Sequence, residues 1–287
     1  GKCTAVCPVG VEGDKLRIAQ RSIRRYGYSP DYSNIEIKSL KNNDNIFVST
    51  SNINVSSNRN ERVLYFQGCM TSLTSGISRA TVEILKKAGI DYKLMDEDGG
   101  ICCGRPMWMA GRFEQARQMI HKNTEIIKSS GATTLLLSCP ICYKIFKDRY
   151  KLDGIKVIHH TELIDNLITQ GRINVRRAET SFVYHDPCEL GRGCGIYEEP
   201  RRAIGSIGNL VEAGKNRKES ICCGGSLGSL SLGFAKRKAL TENALHNLTI
   251  SSPDVIVTAC PLCRSTFGRY SDRPVKDIAE ITVENIN

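Results

Sequence analysis

The chain alternates two kinds of hydrophobic pattern. Short runs that are apolar almost throughout, at Val63–Phe66, 92–95, 133–137, 181–184 and 255–258, have the length and the β-branched or aromatic content of buried strands. Between them lie longer stretches with apolar residues on one helical face. Ile77, Val82, Ile84, Leu85 and Ala88 mark one, stopped by Gly89, and two more are expected over about 107–129 and 230–248. The stretch that follows the 181–184 run is shorter and less regular than its counterpart. Strand and helix in alternation argue for a parallel α/β sheet in each of two successive units. The pattern fades before residue 63. There, 14–26 looks helical and strongly basic, and 42–60 is rich in Asn and Ser with no hydrophobic period, as a linker would be.

The strand ends are marked by cysteine. There are thirteen in the chain, an odd number, and the polar start is not a secretory signal, so metal or redox chemistry in a reducing compartment fits better than a disulfide scaffold. Five of them recur at a nearly rigid interval. Cys69 returns as Cys188 after 119 residues, Cys102 and Cys103 as Cys222 and Cys223 after 120, and Cys139 and Cys142 as Cys260 and Cys263 after 121. Each copy reads Cys, then Cys-Cys-Gly, then Cys-Pro-x-Cys, and the interval fits two domain-sized units rather than a solenoid. In a parallel α/β sheet, functional residues collect beyond the carboxyl ends of the strands, and a cysteine at a helix amino terminus is favoured as thiolate. Three loops per unit can therefore bring five thiolates to one place. A Cys-x-x-Cys redox pair does not account for a duplicated set of five. Structural zinc is the serious alternative, but five cysteines exceed its four ligands, and the count favours an iron–sulfur centre. Gly104 and Gly224 of the two Cys-Cys-Gly motifs would permit tight turns there.

Composition narrows the class. The chain is 287 residues long, 40% hydrophobic and 24% charged, which excludes disorder and fibrous repeats. No apolar run approaches the roughly 18 residues needed to cross a bilayer. The net charge of +10 is spread in small clusters, with only 6% aromatic residues, so no nucleic-acid partner is expected, and the basic surface suits acidic partners or an anionic substrate. The first residues, Gly1-Lys2-Cys3-Thr4-Ala5-Val6-Cys7-Pro8, match the last part of the bacterial ferredoxin run C-x2-C-x2-C-x3-C-P. Cys3 and Cys7 are thus cofactor-binding candidates of a truncated ferredoxin-like module, with cubane 4Fe–4S clusters expected in a part of the protein upstream. Arg21, Arg24 and Arg25 offer a docking face or a plain solvated helix side.

The segments "GGICCGRPMWMAG", "SCPICYKIFK", "YHDPCELGRGCGIYEEPR", "SICCGG" and "TACPLCRSTF" resemble the paired cysteine-rich CCG domains of the heterodisulfide reductase catalytic subunit family over about residues 63 to 281. The resemblance implies two noncubane 4Fe–4S clusters, the first held by Cys69, Cys102, Cys103, Cys139 and Cys142, the second by Cys188, Cys222, Cys223, Cys260 and Cys263. In that family a disulfide is cleaved between the two clusters, with the sulfurs captured at iron, so these ten cysteines are also the catalytic candidates. Similar domains occur in iron–sulfur subunits of glycolate, lactate and glycerol-3-phosphate oxidising enzymes. An electron-transfer subunit of such a flavin-linked dehydrogenase is therefore the alternative to a disulfide reductase.

The implied plan is a truncated ferredoxin-like module at 1–41, a linker at 42–62, a first iron–sulfur domain at 63–171, a connector at 172–180 and a second domain at 181–287. The two domains are expected to be pseudo-symmetric, with their cysteine ends facing one cleft. A flavin-containing subunit or a heme-containing membrane subunit is the expected partner, in the cytoplasm or docked at the inner membrane face. Glu189 stands where a His commonly follows the Cys of the family's "DPC" motif. Cys194 falls outside the repeat and reads as a bystander. His185 is expected to be structural, and His159 and His160 to cap or pack a helix beginning near Thr161. Arg105 and Arg192, each close to a repeat cysteine, are candidates to pair with substrate anions.

Overall fold

The computed structural model describes residues 1–23, 62–70, 74–96, 101–225 and 232–287. The expected linker, Arg24, Arg25 and the end of the expected 14–26 helix lie outside them. Two short helices precede the sheets, α1 (Lys2–Ala5) and α2 (Gly13–Ile23).

The first unit holds β1 (Val63–Phe66), α3 (Ser75–Lys87), β2 (Tyr92–Leu94), α4 (Arg105–Met109), α5 (Phe113–Ser129), β3 (Thr134–Leu137), α6 (Pro140–Arg149), β4 (Lys156–His159) and α7 (His160–Thr169). The second holds β5 (Ser181–His185), α8 (Gly191–Cys194), α9 (Glu198–Ile207), β6 (Asn209–Val211), α10 (Phe234–Thr249), β7 (Val255–Thr258), α11 (Pro261–Phe267), β8 (Val275–Asp277) and α12 (Ile278–Asn285). Each unit forms a four-stranded, all-parallel sheet, ordered β2-β1-β3-β4 in the first and β6-β5-β7-β8 in the second. The fold is thus two tandem parallel α/β units of one topology. Its central strands are buried on both faces, which is why their sequences read as unbroken apolar runs. In both sheets the chain reverses its direction of travel between the first and third strands, and that switch point is where such sheets open a crevice.

Three details differ from the sequence reading. The expected 107–129 helix is two helices, broken at Gly111, whose left-handed backbone (φ 76°) lets it pass against α2: a Cβ there would stand 2.6 Å from the Ser22 nitrogen. The edge strands β4, β6 and β8 were not anticipated, because three- and four-residue edge strands that are partly exposed leave no legible alternation. The helix expected near Thr161 begins one residue earlier, with His159 as N-cap in a capping box with Glu162.

The units pack reciprocally. Helix α3, the first of unit one, lies on α12, the last of unit two, while α9, the first long helix of unit two, lies on α7, the last of unit one. Gly76 permits the first of these contacts, since a Cβ there would stand 2.5 Å from Glu280 Oε1. A buried polar link crosses the same seam, His160 Nε2 to Asp277 Oδ1 at 2.8 Å. Arg202 of α9 adds a bidentate pair with Asp165 of α7.

Candidate functional site

Each five-cysteine set is built by three loops at strand ends. Cys69 follows β1 and Cys188 follows β5 by three residues. Cys102 and Cys103 precede Gly104, the N-cap of α4, and Cys222 and Cys223 precede Gly224; both glycines are left-handed, with φ of 81° and 79°. Cys139 and Cys260 are the N-caps of α6 and α11, with Pro140 and Pro261 at the first helical position, so Cys142 and Cys263 come round on the first turn. The expected glycine turns are present. What a Cβ would approach there is the next helix, Ala116 O at 3.4 Å from Gly104 and Thr241 Oγ1 at 2.9 Å from Gly224, not a sulfur.

The loops bring the sulfurs into a row. In the first set Cys69 touches Cys102, Cys102 touches Cys103, Cys103 touches Cys142 and Cys142 touches Cys139. The second row runs in the same order, Cys188, Cys222, Cys223, Cys263 and Cys260, with Cys263 Sγ 3.2 Å from Cys223 Sγ. Thiol neighbours and burial set their acidity. In the second row Cys188 and Cys223 donate to Cys222, which is held far below an ordinary thiol, while donation and burial push Cys188, Cys223 and Cys263 well up. Cys142 is pushed up by donation to Cys103 and Cys139 and by burial.

The donor set is sulfur only and lies in apolar surroundings. Cys103, Cys139 and Cys142 belong to the main core, Cys69 and Cys102 pack with Met107 and Ala116, and Cys223, Cys260 and Cys263 lie in the core of unit two. Five thiolates there would be strongly destabilised without a compensating soft cation, so these residues fit an iron–sulfur core. Among the described residues no three His, Cys or carboxylate side chains surround a single ion-sized point; the sulfurs form rows instead.

The carbonyls and loops behind the sulfurs are fixed by residues that carried no sequence signal. Asn123 Nδ2 donates to Cys102 O and the Tyr150 hydroxyl to Cys103 O, both at 3.0 Å, and the Thr241 hydroxyl donates to Cys223 O at 2.9 Å. Asp96 accepts from the Gln67, Gly68 and Ile101 N–H groups, joining the loop before Cys69 to the loop before Cys102. Burial, opposed by those donors, raises its pKa to about 6. His185 is occupied as expected of a structural histidine: its ring nitrogens meet Thr258 Oγ1 at 3.4 Å and Ile221 O at 3.2 Å. Cys194 joins neither row, and burial pushes its thiol up to about 11.

The two rows differ in access. The first set is 0% to 6% exposed, whereas Cys188 and Cys222 are only partly buried. All five cysteines of the second set line a cavity of about 470 Å³ and none of the first does, so the two sets do not share the single cleft expected of them. Arg105, Met109, Pro140 and Ile141 of unit one form its facing wall, and Lys2, Cys3, Thr4, Arg17 and Arg21 of the amino-terminal helices cover it. Cys3 thus faces the second row. Cys7 instead accepts the Val11 N–H at 3.3 Å, and that donor with those of Val9 and Gly10 lowers its pKa. Arg21 ties α2 to unit one through the Met109 carbonyl. Arg192 Nη1 donates to the Lys218 and Ser220 carbonyls and the Ser220 hydroxyl, its buried Nε has no hydrogen-bond partner among the described residues, and Arg105 pairs with Glu189 at 3.1 Å.

Fold and site together define a tandem α/β protein with two sulfur-only sites at equivalent strand ends. The chain belongs to the cysteine-rich CCG domain family, which matches it twice, over residues 63–147 and 182–268. It is 30% identical over 239 residues to one of the subunits of the dihydromethanophenazine:CoB–CoM heterodisulfide reductase of Methanosarcina acetivorans, covering 78% of this chain and 57% of that one. It is 27% identical over 214 residues to the EtfAB:quinone oxidoreductase of Syntrophomonas wolfei, covering 70% of this chain and 30% of that one. The chain therefore spans a little over half of the first relative and under a third of the second. A crystal structure of a hypothetical protein from Helicobacter pylori shares the fold, with a TM-score of 0.64 over 95% of this chain and 57% of that one at 10% identity. Among the described residues no helix is long and apolar enough to cross a membrane.

Proposed function

We propose that this chain is the disulfide-reducing iron–sulfur part of a heterodisulfide-reductase-like oxidoreductase. In this reading Cys69, Cys102, Cys103, Cys139 and Cys142 hold one noncubane 4Fe–4S cluster, and Cys188, Cys222, Cys223, Cys260 and Cys263 hold another. Bound there, such clusters would supply electrons one at a time to a two-electron substrate, RSSR′ + 2e⁻ + 2H⁺ giving RSH and R′SH. The observation that carries the reading is the pair of complete five-sulfur rows, one of which opens into a cavity walled by both units.

The chain's own residues prepare that chemistry. The Cys-Cys-Gly turns and the two N-cap cysteines fix the sulfur rows, and Asn123, Tyr150, Thr241 and Asp96 hold the loops behind them. The position of Cys3 on the cavity supports electron entry from the ferredoxin-like module, whose cubane clusters lie upstream in this reading. The electrons would come from a flavin-containing or heme-containing membrane subunit, with this chain on the cytoplasmic side.

The second reading is an electron-transfer subunit of a flavin-linked dehydrogenase, favoured by the likeness to an EtfAB:quinone oxidoreductase. The test is anaerobic purification of the intact complex, iron and acid-labile sulfide analysis, chemical reduction, and addition of small disulfides with thiol release and cluster spectra followed together. About eight irons with matching sulfide per two-unit chain, and thiol released as the spectra change, are expected. Full clusters with neither thiol release nor a spectral change would leave the electron-transfer reading; zinc without sulfide would remove both.

A further inference from the structure

We propose that the Arg105–Glu189 ion pair is a latch between the two cysteine sets. Arg105 is the docking point for an anionic group, such as a carboxylate, on the disulfide substrate, and Glu189 holds its place in the free protein. The inference rests on the disulfide-reducing reading and adds to it the residue that takes the substrate's charge and the one that holds its place.

The position of the pair is the first argument. Arg105 opens α4 two residues after Cys103 of the first set, and Glu189 directly follows Cys188 of the second. Their contact, Nη2 to Oε2 at 3.1 Å, therefore joins the segments that carry the two sulfur rows. Both residues line the cavity that reaches every cysteine of the second set and none of the first. On the unit-one side the cavity is lined by Arg105 and the Pro140–Ile141 turn, each next to cysteines of the first set in sequence.

The form of the contact is the second. It is made through one nitrogen and one oxygen, and the side chains are unequally buried, Arg105 11% exposed and Glu189 29%. A guanidinium prefers two parallel bonds to a carboxylate or phosphate, so a small anion entering the cavity can offer Arg105 more than Glu189 does. Exchanging one carboxylate for another keeps the arginine compensated throughout. Arg192 also lines the cavity, where its Nη1 serves three oxygens of the loop before Cys222, and Arg17 stands exposed on α2, whereas Arg105 is paired with a residue beside the other sulfur row.

The test uses the cluster-loaded complex and three thiols of similar size: thioglycolate, 2-mercaptoethanol and cysteamine, which are anionic, neutral and cationic. Dissociation constants are read from the change each causes in the cluster spectra, under anaerobic conditions and at two salt concentrations. Thioglycolate is expected to bind about tenfold more tightly than 2-mercaptoethanol, a factor of the size of one charge-assisted hydrogen bond. Glu189→Gln should widen that preference. The double variant Arg105→Glu with Glu189→Arg keeps a cross-link between the units and should turn the preference toward cysteamine. Equal binding of the three thiols, or a preference the double variant leaves unturned, overturns the latch while leaving the disulfide reading in place. No spectral response to any thiol in either protein overturns both.

Discussion

Asp277→Ala should cost about 2–4 kcal/mol, and the loss should be felt in the unit that does not contain it. One oxygen of Asp277 does two jobs: Oδ1 accepts the Ala279 N–H at 2.9 Å, capping α12, and stands 2.8 Å from His160 Nε2 of unit one. Both side chains are fully buried. Losing the cap costs about 1 kcal/mol. Leaving the His160 nitrogen buried without a partner adds about 1–3 kcal/mol. If the pair is coupled, removing Asp277 from a His160→Phe background should cost only the cap, because no imidazole is then left stranded. The assay is anaerobic urea unfolding of the loaded protein with two probes. The single tryptophan, Trp108, lies in unit one, whereas far-ultraviolet circular dichroism reports both units. A reciprocally packed pair of units predicts that the Trp108 transition moves with the dichroism. A Trp108 midpoint unmoved by Asp277→Ala, or a full penalty in the His160→Phe background, would refute the seam as an energetic link.

Cys103→Ser and Cys223→Ser should each lower iron and sulfide content by about half, one cluster of two, while Cys194→Ser leaves both unchanged; metal and sulfide analysis decides it, and equal loss in all three would break the assignment. His159 is buried and desolvation by burial holds its pKa well below 6.5, so the unfolded chain binds more protons below that pH. The stability it contributes is present above pH 6.5 and falls as the pH drops, by up to about 1.4 kcal/mol per unit. His159→Asn, which keeps a capping side chain, should flatten that slope in urea titrations from pH 7 to 5. If each sulfur row holds a cluster, the two should also titrate at separate potentials in a spectroscopic redox titration; a single step would mean that the difference in access between the rows has no electronic consequence.

Much of the fold was legible because the central strands are buried on both faces and the cysteines stand at their ends. β1, β3, β5 and β7 read as mostly apolar runs, and each group of repeat cysteines lies where the chain passes from a strand to a helix. Of the edge strands only β2 showed, since Lys156–His159, Asn209–Val211 and Val275–Asp277 are short and half wet. Nor did the break at Gly111, whose reason is the passage of α2, a contact remote in sequence. The sulfur rows could be anticipated because their chemistry demands cysteine. Their supports could not, because Asn123, Tyr150 and Thr241 act on carbonyls, which many polar residues can reach. Arg105 and Glu189 were visible singly, as a candidate anion partner and a departure from the family pattern, but their pairing depends on how one unit faces the other.

The two sets are equals in sequence and unequal in space, and packing produces the difference. Both rows run through the same five positions at the same strand ends, so the cysteines themselves cannot distinguish them. The first row is enclosed by its own core, with Met107 and Ala116 packed on Cys69 and Cys102, while the second is left open toward the seam and roofed by the amino-terminal helices. An iron–sulfur centre responds to solvent access and to nearby charge as well as to its ligands. Two copies of one ligand set can therefore behave differently, one opening on the cavity and the other enclosed in its own core. Duplication supplies the second site, and the contacts that are not duplicated, α1, α2 and the Arg105–Glu189 pair, set the two apart.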